Sequence, residues 1–325
     1  MNSNIGSALD ALKAYRHRSL MVRLKKYRFL YIILAIIMAY YLVFSYYPIL
    51  LGVLMSFKTV KIGMTPFSAP WADANGGSIF SNYIYIFKNP ELMTVVKNTL
   101  QISVLRLLWT FWPPIVLAIF IFDIIFQRFK KICQTIVYVP FFFSWVIVYG
   151  IVFAFFSGQG FINSMVKVIG LGPGKTSFLE SASFFRTLLI GSQIWKGAGW
   201  GTILYFAGLT QINPELYEAA HIDGAGPIRR ILAVTLPGLL PIITFQLIFA
   251  LGGILNTDFE QILMYYNAAV FSVGDVIDTW VYRIGLGKMQ YSIGSAVGLL
   301  KAVIAFVLIV CANRVSRKVA GRGMW

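Results

Sequence analysis

The sequence predicts an all-α integral membrane protein with six transmembrane helices, and three observations carry that prediction. Hydrophobic residues make up 58% of the 325 and charged residues only 12%, with a mean hydropathy of +0.74, more apolar material than a soluble core of this length can hide. Six apolar runs, at 29–54, 97–122, 133–156, 184–207, 236–255 and 293–311, reach the roughly 20 helical residues needed to cross a hydrocarbon core. No strand alternation of the outer-membrane barrel kind recurs, so helices are expected to satisfy the backbone in lipid.

Along the chain, the first element is a basic segment over 1–28, whose stretch "ALKAYRHRSLMVRLKKYRF" interleaves apolar and basic residues. That pattern suits a helix lying on anionic headgroups, or equally a disordered basic tail. Run 1 has no small-residue cleavage site behind it and is too long for a signal peptide, so it reads as an anchor. Lys13, Arg16, Arg18, Arg23, Lys25, Lys26 and Arg28 precede it. Arg128, Lys130 and Lys131 follow run 2, Arg229 and Arg230 follow run 4, and Arg314, Arg317, Lys318 and Arg322 follow run 6. The other three loops are longer and poorer in basic residues, holding Lys58, Lys61, Lys88, Lys97, Lys167, Lys175, Arg283 and Lys288. The bias predicts that both termini are cytoplasmic. The chain then divides into the segment 1–28, a six-helix domain over 29–311 with a cytoplasmic loop at 208–235, and a basic cytoplasmic tail over 312–325. The net charge of +16 is accounted for by topology and membrane lipids, and no nucleic-acid partner is expected.

Several chemistries are missing. Cys133 and Cys311 fall near cytoplasmic ends of their runs, where thiols stay reduced, and read as packing residues. His17 and His221 have no ligand at metal spacing, so no metal site is expected. "GLGPGKTS" (170–177) imitates a phosphate loop, but G-x-x-x-x-G-K would need Gly at 169, where Ile169 stands, and the loop falls on the outer side, where there is no ATP. No nucleophile elbow, H-E-x-x-H or buried carboxylate pair offers catalysis. The chain is expected to bind or conduct, not to make or break bonds.

The loop "ELYEAAHIDGAGPIRRILAVTLPG" (215–238) is neither apolar enough for lipid nor loose enough for a linker. Asn213-Pro214 is a strong helix start, because the Asn side chain accepts a backbone N–H and Pro at the first helical position has no N–H to leave unpaired. Glu215 and Glu218 favour the positive helix end, Ala219 and Ala220 make a small face, and Asp223-Gly224 supplies a left-handed stop. A second short helix over 227–234 should lead to Leu236-Pro237 and run 5. The result is a helix-turn-helix knob, or merely an interfacial connection between two spans.

Glu218-Ala219-Ala220, then Gly224, Val234 and Leu236-Pro237, is similar to the EAA motif of permease subunits of binding-protein-dependent ABC importers, with Val for the usual Ile. "VPFFFSWVIVYGIVFAFFSGQGFIN" (139–163), "IWKGAGWGTILYFAGLTQINPELYEAA" (194–220) and "DVIDTWVYRIGLGKMQYSIGSAVGLLKAVIAFVLIVCANRVSRK" (275–318) resemble the polysaccharide-type carbohydrate permeases related to the larger permease of the maltose importer. The resemblance implies the type I importer permease fold and makes the loop a coupling helix seated in a cytoplasmic ATPase. Glu218, Ala219, Ala220, Asp223 and Gly224 carry the motif, and Arg229 contacts either the ATPase or lipid phosphate.

Three basic residues fall inside runs: Arg106, Lys196 and Lys301. Each would cost on the order of 2.5–3.5 kcal/mol at a helix centre facing lipid, so a hydrated cavity or a partner is expected to receive them. All acids lie in loops or at run ends, so no in-chain pairing at mid-membrane is expected, and Arg106 has the alternative of snorkelling outward. Lys196 lies in "SQIWKGAGW", where Gly197, Gly199 and Gly201 open the helix surface and Trp195 and Trp200 offer flat faces for sugar rings. The resemblance places the solute site in the middles of the spans flanking the EAA loop, at Gln193, Gly197 and Trp200 before it and Gly253, Asn256 and Thr257 after it. Each of these also has a packing reading.

The expected function is the permease subunit of an ABC importer translocating an oligosaccharide by ATP-coupled alternating access, with an acidic (uronate) cargo suggested by the intramembrane cations. The implied partners are a second, different permease, an ATPase dimer that binds ATP and Mg, and an extracytoplasmic solute-binding protein. The chain itself needs no cofactor, and its location is the bacterial inner membrane. The rivals are an importer for a non-sugar solute, a secondary carrier, which would need coupling carboxylates inside spans, and a membrane glycosyl enzyme, for which Asp258, Glu260, Asp275 and Asp278 are the only candidate acids. That last loop reads better as a dock for the binding protein.

Overall fold

The computed structural model describes residue 22 and residues 25–72, 78–170 and 176–320, and every described regular element is a helix. Most of the basic segment 1–28, positions 171–175 of the false phosphate loop and the final residues 321–325 lie outside the described residues. In order, the helices used below are α1 (Arg28–Ser56), α2 (Ser81–Lys88), α3 (Pro90–Phe122), α4 (Gln127–Tyr138), α5 (Trp145–Phe156), α6 (Phe161–Val168), α7 (Ala182–Leu209), α8 (Pro214–Ile222), α9 (Pro227–Gly252), α10 (Phe259–Tyr265), α11 (Ile277–Val281) and α12 (Tyr291–Ala320).

Five stretches are long and apolar enough to cross a membrane: α1, α3, residues Trp145–Val168, α9 and Tyr291–Cys311. The sixth expected crossing falls in α7, which has 28 residues and so reaches about 42 Å at 1.5 Å per residue. Arg186, Gln193 and Lys196 set it apart from the apolar five. None of the residues of Arg28–Tyr41 is buried although nearly all are apolar, the signature of a helix whose solvent is lipid.

Several boundaries differ from the sequence reading, and three of them fall at a Pro or Gly. The third run is not one helix: α4 ends at Tyr138, Val139–Phe142 forms a tight 3-10 turn around Pro140, and α5 restarts after Ser144, whose Oγ accepts the Ile147 N–H at 3.4 Å. The second short helix does not stop before run 5. It runs on through Leu236-Pro237 as α9, and a π-helical stretch over Ile231–Thr235 absorbs the N–H that Pro237 lacks. A similar widening over Leu42–Tyr46 precedes Pro48 in α1. Finally, α9 ends at Gly252, so Asn256 and Thr257 stand on an irregular segment and not on a span. α12 also continues beyond 311, through Ala320.

The core is built around α3 and α7, which pack along each other. A Cβ at Gly199 would overlap the Val137 carbonyl, and one at Gly201 would come within 2.9 Å of the Pro114 ring, so both glycines permit close helix approach and are not open surface. Leu189, Phe185, Ile262, Tyr265 and Ile102 form one buried cluster, and Tyr205, Leu209, Leu239 and Ala118 another towards the opposite end. At the end near Pro90, Arg283 donates to Glu91 at 2.6 Å and to buried Asp275 at 2.7 Å, clamping α3 to the last loop. Burial opposes the Arg283 charge, but those two hydrogen bonds outweigh it and raise the guanidinium above its ordinary value.

Candidate functional site

Two places combine polar residues with geometry that packing alone does not explain. The first is the knob. Asn213 Oδ1 accepts the Glu215 N–H at 3.1 Å, Pro214 opens α8, and Gly224 closes it at φ +71°, with the Gly224 N–H donating to the His221 carbonyl at 3.0 Å. Tyr217 and Thr235 share a hydroxyl hydrogen bond of 3.2 Å that fixes α8 to the start of α9. Glu218, Ala219, Asp223, Gly224 and Arg229 are exposed and Ala220 is half-buried. Beside them stand Ile222, 85% exposed, and Ile228, 75% exposed. Ile222 lies outside the spans and Ile228 in the first turn of α9, before the apolar run at 236–255, and together they mark a surface built to be covered. The motif singles out Glu and Ala, whereas the isoleucines carry no signal in the sequence, because a lone aliphatic between two spans resembles span.

The second place is a polar seam through the centre. α3 begins at Pro90, seven positions before the expected start, which puts Arg106 at mid-helix and not near an end. Its Nη2 donates to Gln261 Oε1 at 2.5 Å, and Gln261 Nε2 donates in turn to the Leu189 carbonyl at 2.7 Å and Ser192 Oγ at 3.1 Å. Arg106 therefore does not snorkel. It is held inward by α10.

The expectation that no acid pairs with the intramembrane cations is overturned. Lys301 meets Asp278 at 2.5 Å, and the Thr257 hydroxyl donates to the other oxygen of that carboxylate at 3.3 Å. Two acids outside the apolar runs reach the seam by separate routes: Asp278 is carried by α11, and Asp258 by the irregular segment that follows α9. Asp258 takes a left-handed conformation at φ +57°, accepts the Trp145 indole N–H at 3.1 Å, and closes this turn by donating its own N–H to Asn256 Oδ1 at 3.4 Å. Lys196 completes the seam: its Nζ donates to the Phe141 carbonyl at 2.7 Å and lies 5.2 Å from the Phe141 ring and 5.4 Å from the Trp145 ring. It thus satisfies a carbonyl freed by the break at Pro140.

Of the residues expected to meet a solute, Lys196, Thr257 and Lys301 are joined through Trp145, Asp258 and Asp278, while Gly253 and Asn256 are exposed on the same irregular segment. Gln193 keeps a buried carbonyl oxygen without a partner, and a Cβ at Gly197 would find only the Gln193 amide at 3.9 Å, so this face is open. Trp200 stacks on Phe141, with centroids 4.3 Å apart and planes within 7°, and Phe142 is 72% exposed beside them. Trp195 does not join them. It lies five residues, about 140°, around α7 from Trp200 and lines an apolar groove with Trp112, Pro113 and Ile136. The two tryptophans therefore cannot grip one sugar ring.

Residues 113–322 match the family described as the binding-protein-dependent transport system inner membrane component. The chain belongs to that family. This permease is 37% identical to protein LplB of Bacillus subtilis over 97% of its own length and 96% of the relative's. It is 34% identical to the polygalacturonan/rhamnogalacturonan transport system permease protein YteP of the same organism, over 98% and 97% of the two chains. Among solved structures, it is similar to a chain of a bacterial alginate ABC transporter in complex with an alginate pentasaccharide-bound periplasmic protein, with 36% identity, a TM-score of 0.82 and coverage of 93% and 98%. The permease is a multi-pass inner-membrane protein and a non-catalytic subunit of a sugar ABC importer, with the type I permease fold.

Proposed function

We propose that this permease carries an acidic oligosaccharide of the uronate type, delivered by an extracytoplasmic binding protein and released inward when two partner ATPases close on the coupling knobs of this chain and of a second permease. Full-length likeness to a polygalacturonan/rhamnogalacturonan permease and to a chain of an alginate transporter is the observation that carries the cargo class. The reading puts α8, with Glu218, Ala219, Ala220, Asp223, Gly224 and Arg229, in the ATPase cleft, both termini in the cytoplasm, and six crossings including α7.

The sugar's path follows the seam. An irregular backbone at membrane depth is tolerated only where it is buried in protein or lines a hydrated cavity, and residues 253–258 are such a backbone. Asn256 and Gln193 supply amides, and the shelf of Trp200 and Phe142 supplies apolar faces for the C–H side of a ring. Lys301 is neutralised by Asp278 and Lys196 is caged by a carbonyl and two rings, so neither is a free counter-charge, and selectivity for acid comes from the field of the seam as a whole.

The test is uptake by the assembled importer of neutral and uronate oligosaccharides of equal length. Faster uronate uptake is expected, with the ratio reduced in Arg106→Gln and Lys196→Gln variants. Equal uptake of the two sugars, unchanged by either substitution, would leave the permease and remove the acidic cargo.

A further inference from the structure

A pocket of about 540 Å³ lies at the opposite end of α1 and α12 from the basic tails, with Thr59, Lys61, Asn82, Lys288, Gln290 and Ser292 in its lining. On the orientation set by the basic-residue bias, this end faces outward, where nothing in the topology asks for lysine. Among the described residues, neither Lys61 nor Lys288 forms an ion pair, and both are exposed. The neighbouring Lys58 is not available: it is buried, donates to the Phe67 carbonyl at 3.0 Å and lies over the Trp71 ring.

The walls are tied from three directions. Asn82 Nδ2 donates to the carbonyls of Ser56 and Lys58 at 2.9 and 3.0 Å, and the Val60 N–H donates to Ser292 Oγ at 2.8 Å. Lys288 is presented by a turn in which Met289 is forced to φ +55°, a left-handed conformation unfavourable for an unbranched apolar residue. The Lys288 and Gln290 N–H groups hold that turn by donating to the carbonyls of Arg283 and Ile284 at 3.0 and 3.2 Å. Two lysines 227 positions apart thus line one concavity whose backbone is tied by hydrogen bonds, with backbone strain accepted beside one of them.

We propose that this pocket is a docking contact for carboxylate side chains of the extracytoplasmic binding protein, steering it onto the permease. The inference rests on the importer reading above. The cargo itself is the less suitable occupant, because Ser292 and Lys301 lie nine residues apart on α12, about 180° around its axis, so the pocket opens away from the seam. Exposed rim charges act mainly on association and its salt dependence.

The experiment uses the assembled importer in nanodiscs and follows ATPase activity, together with direct binding, as the binding protein is titrated. At low ionic strength, Lys61→Glu with Lys288→Glu should raise the half-maximal binding-protein concentration about tenfold and leave the maximal rate unchanged, with Lys61→Gln/Lys288→Gln between it and the wild type. The difference should close in 0.5 M salt, on the order of a few ångströms of screening length. The effect should also persist in nanodiscs of neutral phosphatidylcholine, and dependence on anionic lipid would assign the pocket to a lipid headgroup and overturn the proposal. Unchanged affinity in both variants, with a wild type that responds to the binding protein, overturns the pocket alone. A wild type indifferent to the binding protein overturns the importer reading along with it.

Discussion

At the residue scale, Lys301 shows how a charge in the membrane is made tolerable. Its pair with Asp278 is only partly shielded, with side chains 21% and 24% exposed, so the full penalty of breaking a buried pair does not apply. Replacing Lys301 with Gln should lower stability by about 1–2 kcal/mol, and Lys301→Met/Asp278→Leu should cost less than the two single changes summed. Thermal unfolding in detergent measures this, and additive losses would show that the pair is not coupled. The glycines of α7 divide just as sharply. Gly199→Ala forces a methyl into the Val137 carbonyl and should destabilise by about 1–3 kcal/mol, whereas Gly197→Ala meets open space and should change stability by less than about 0.5 kcal/mol. Similar melting shifts for both would contradict the packing described.

At the scale of elements, α8 and its turn were legible because capping is local: Asn213, Pro214 and Gly224 each act within a few residues of their own position. The seam was not legible, because its bonds join residues on different elements, from Asp278 and Lys301, 23 positions apart, to Trp145 and Asp258 or Arg106 and Gln261, 113 and 155 apart. Run-by-run hydropathy also merged α4 with α5, since Pro140 interrupts the helix without interrupting the apolar composition. The pairing of Lys301 is invisible to hydropathy because Asp278 lies in a loop by sequence, yet the short helix α11 brings it to Lys301 on α12. For the knob, Gly224→Ala should cost about 1 kcal/mol through its left-handed backbone. Glu218→Arg should leave the subunit expressed and assembled while uptake falls and ATPase activity no longer follows the binding protein. Normal coupled uptake in Glu218→Arg would place the coupling contact elsewhere.

For the whole molecule, apolar length pointed to a membrane protein and the resemblance of the loop motif and three long stretches pointed to the family, without any side-chain geometry, and the family match and full-length relatives bear the family out. The proposed passage for the sugar is a different matter, since the seam it follows brings the break at Pro140 near the irregular segment 253–258. If residues 253–258 line that passage, solute must shield them. With Cys133 and Cys311 replaced by Ser, Asn256→Cys and Trp195→Cys can each be modified by a maleimide in the assembled importer. The account predicts that a uronate oligosaccharide presented on its binding protein slows modification at Asn256→Cys and leaves Trp195→Cys, in the apolar groove, unchanged. Equal rates at Asn256→Cys with and without the sugar, in an importer shown to be transporting it, would contradict a path along the seam.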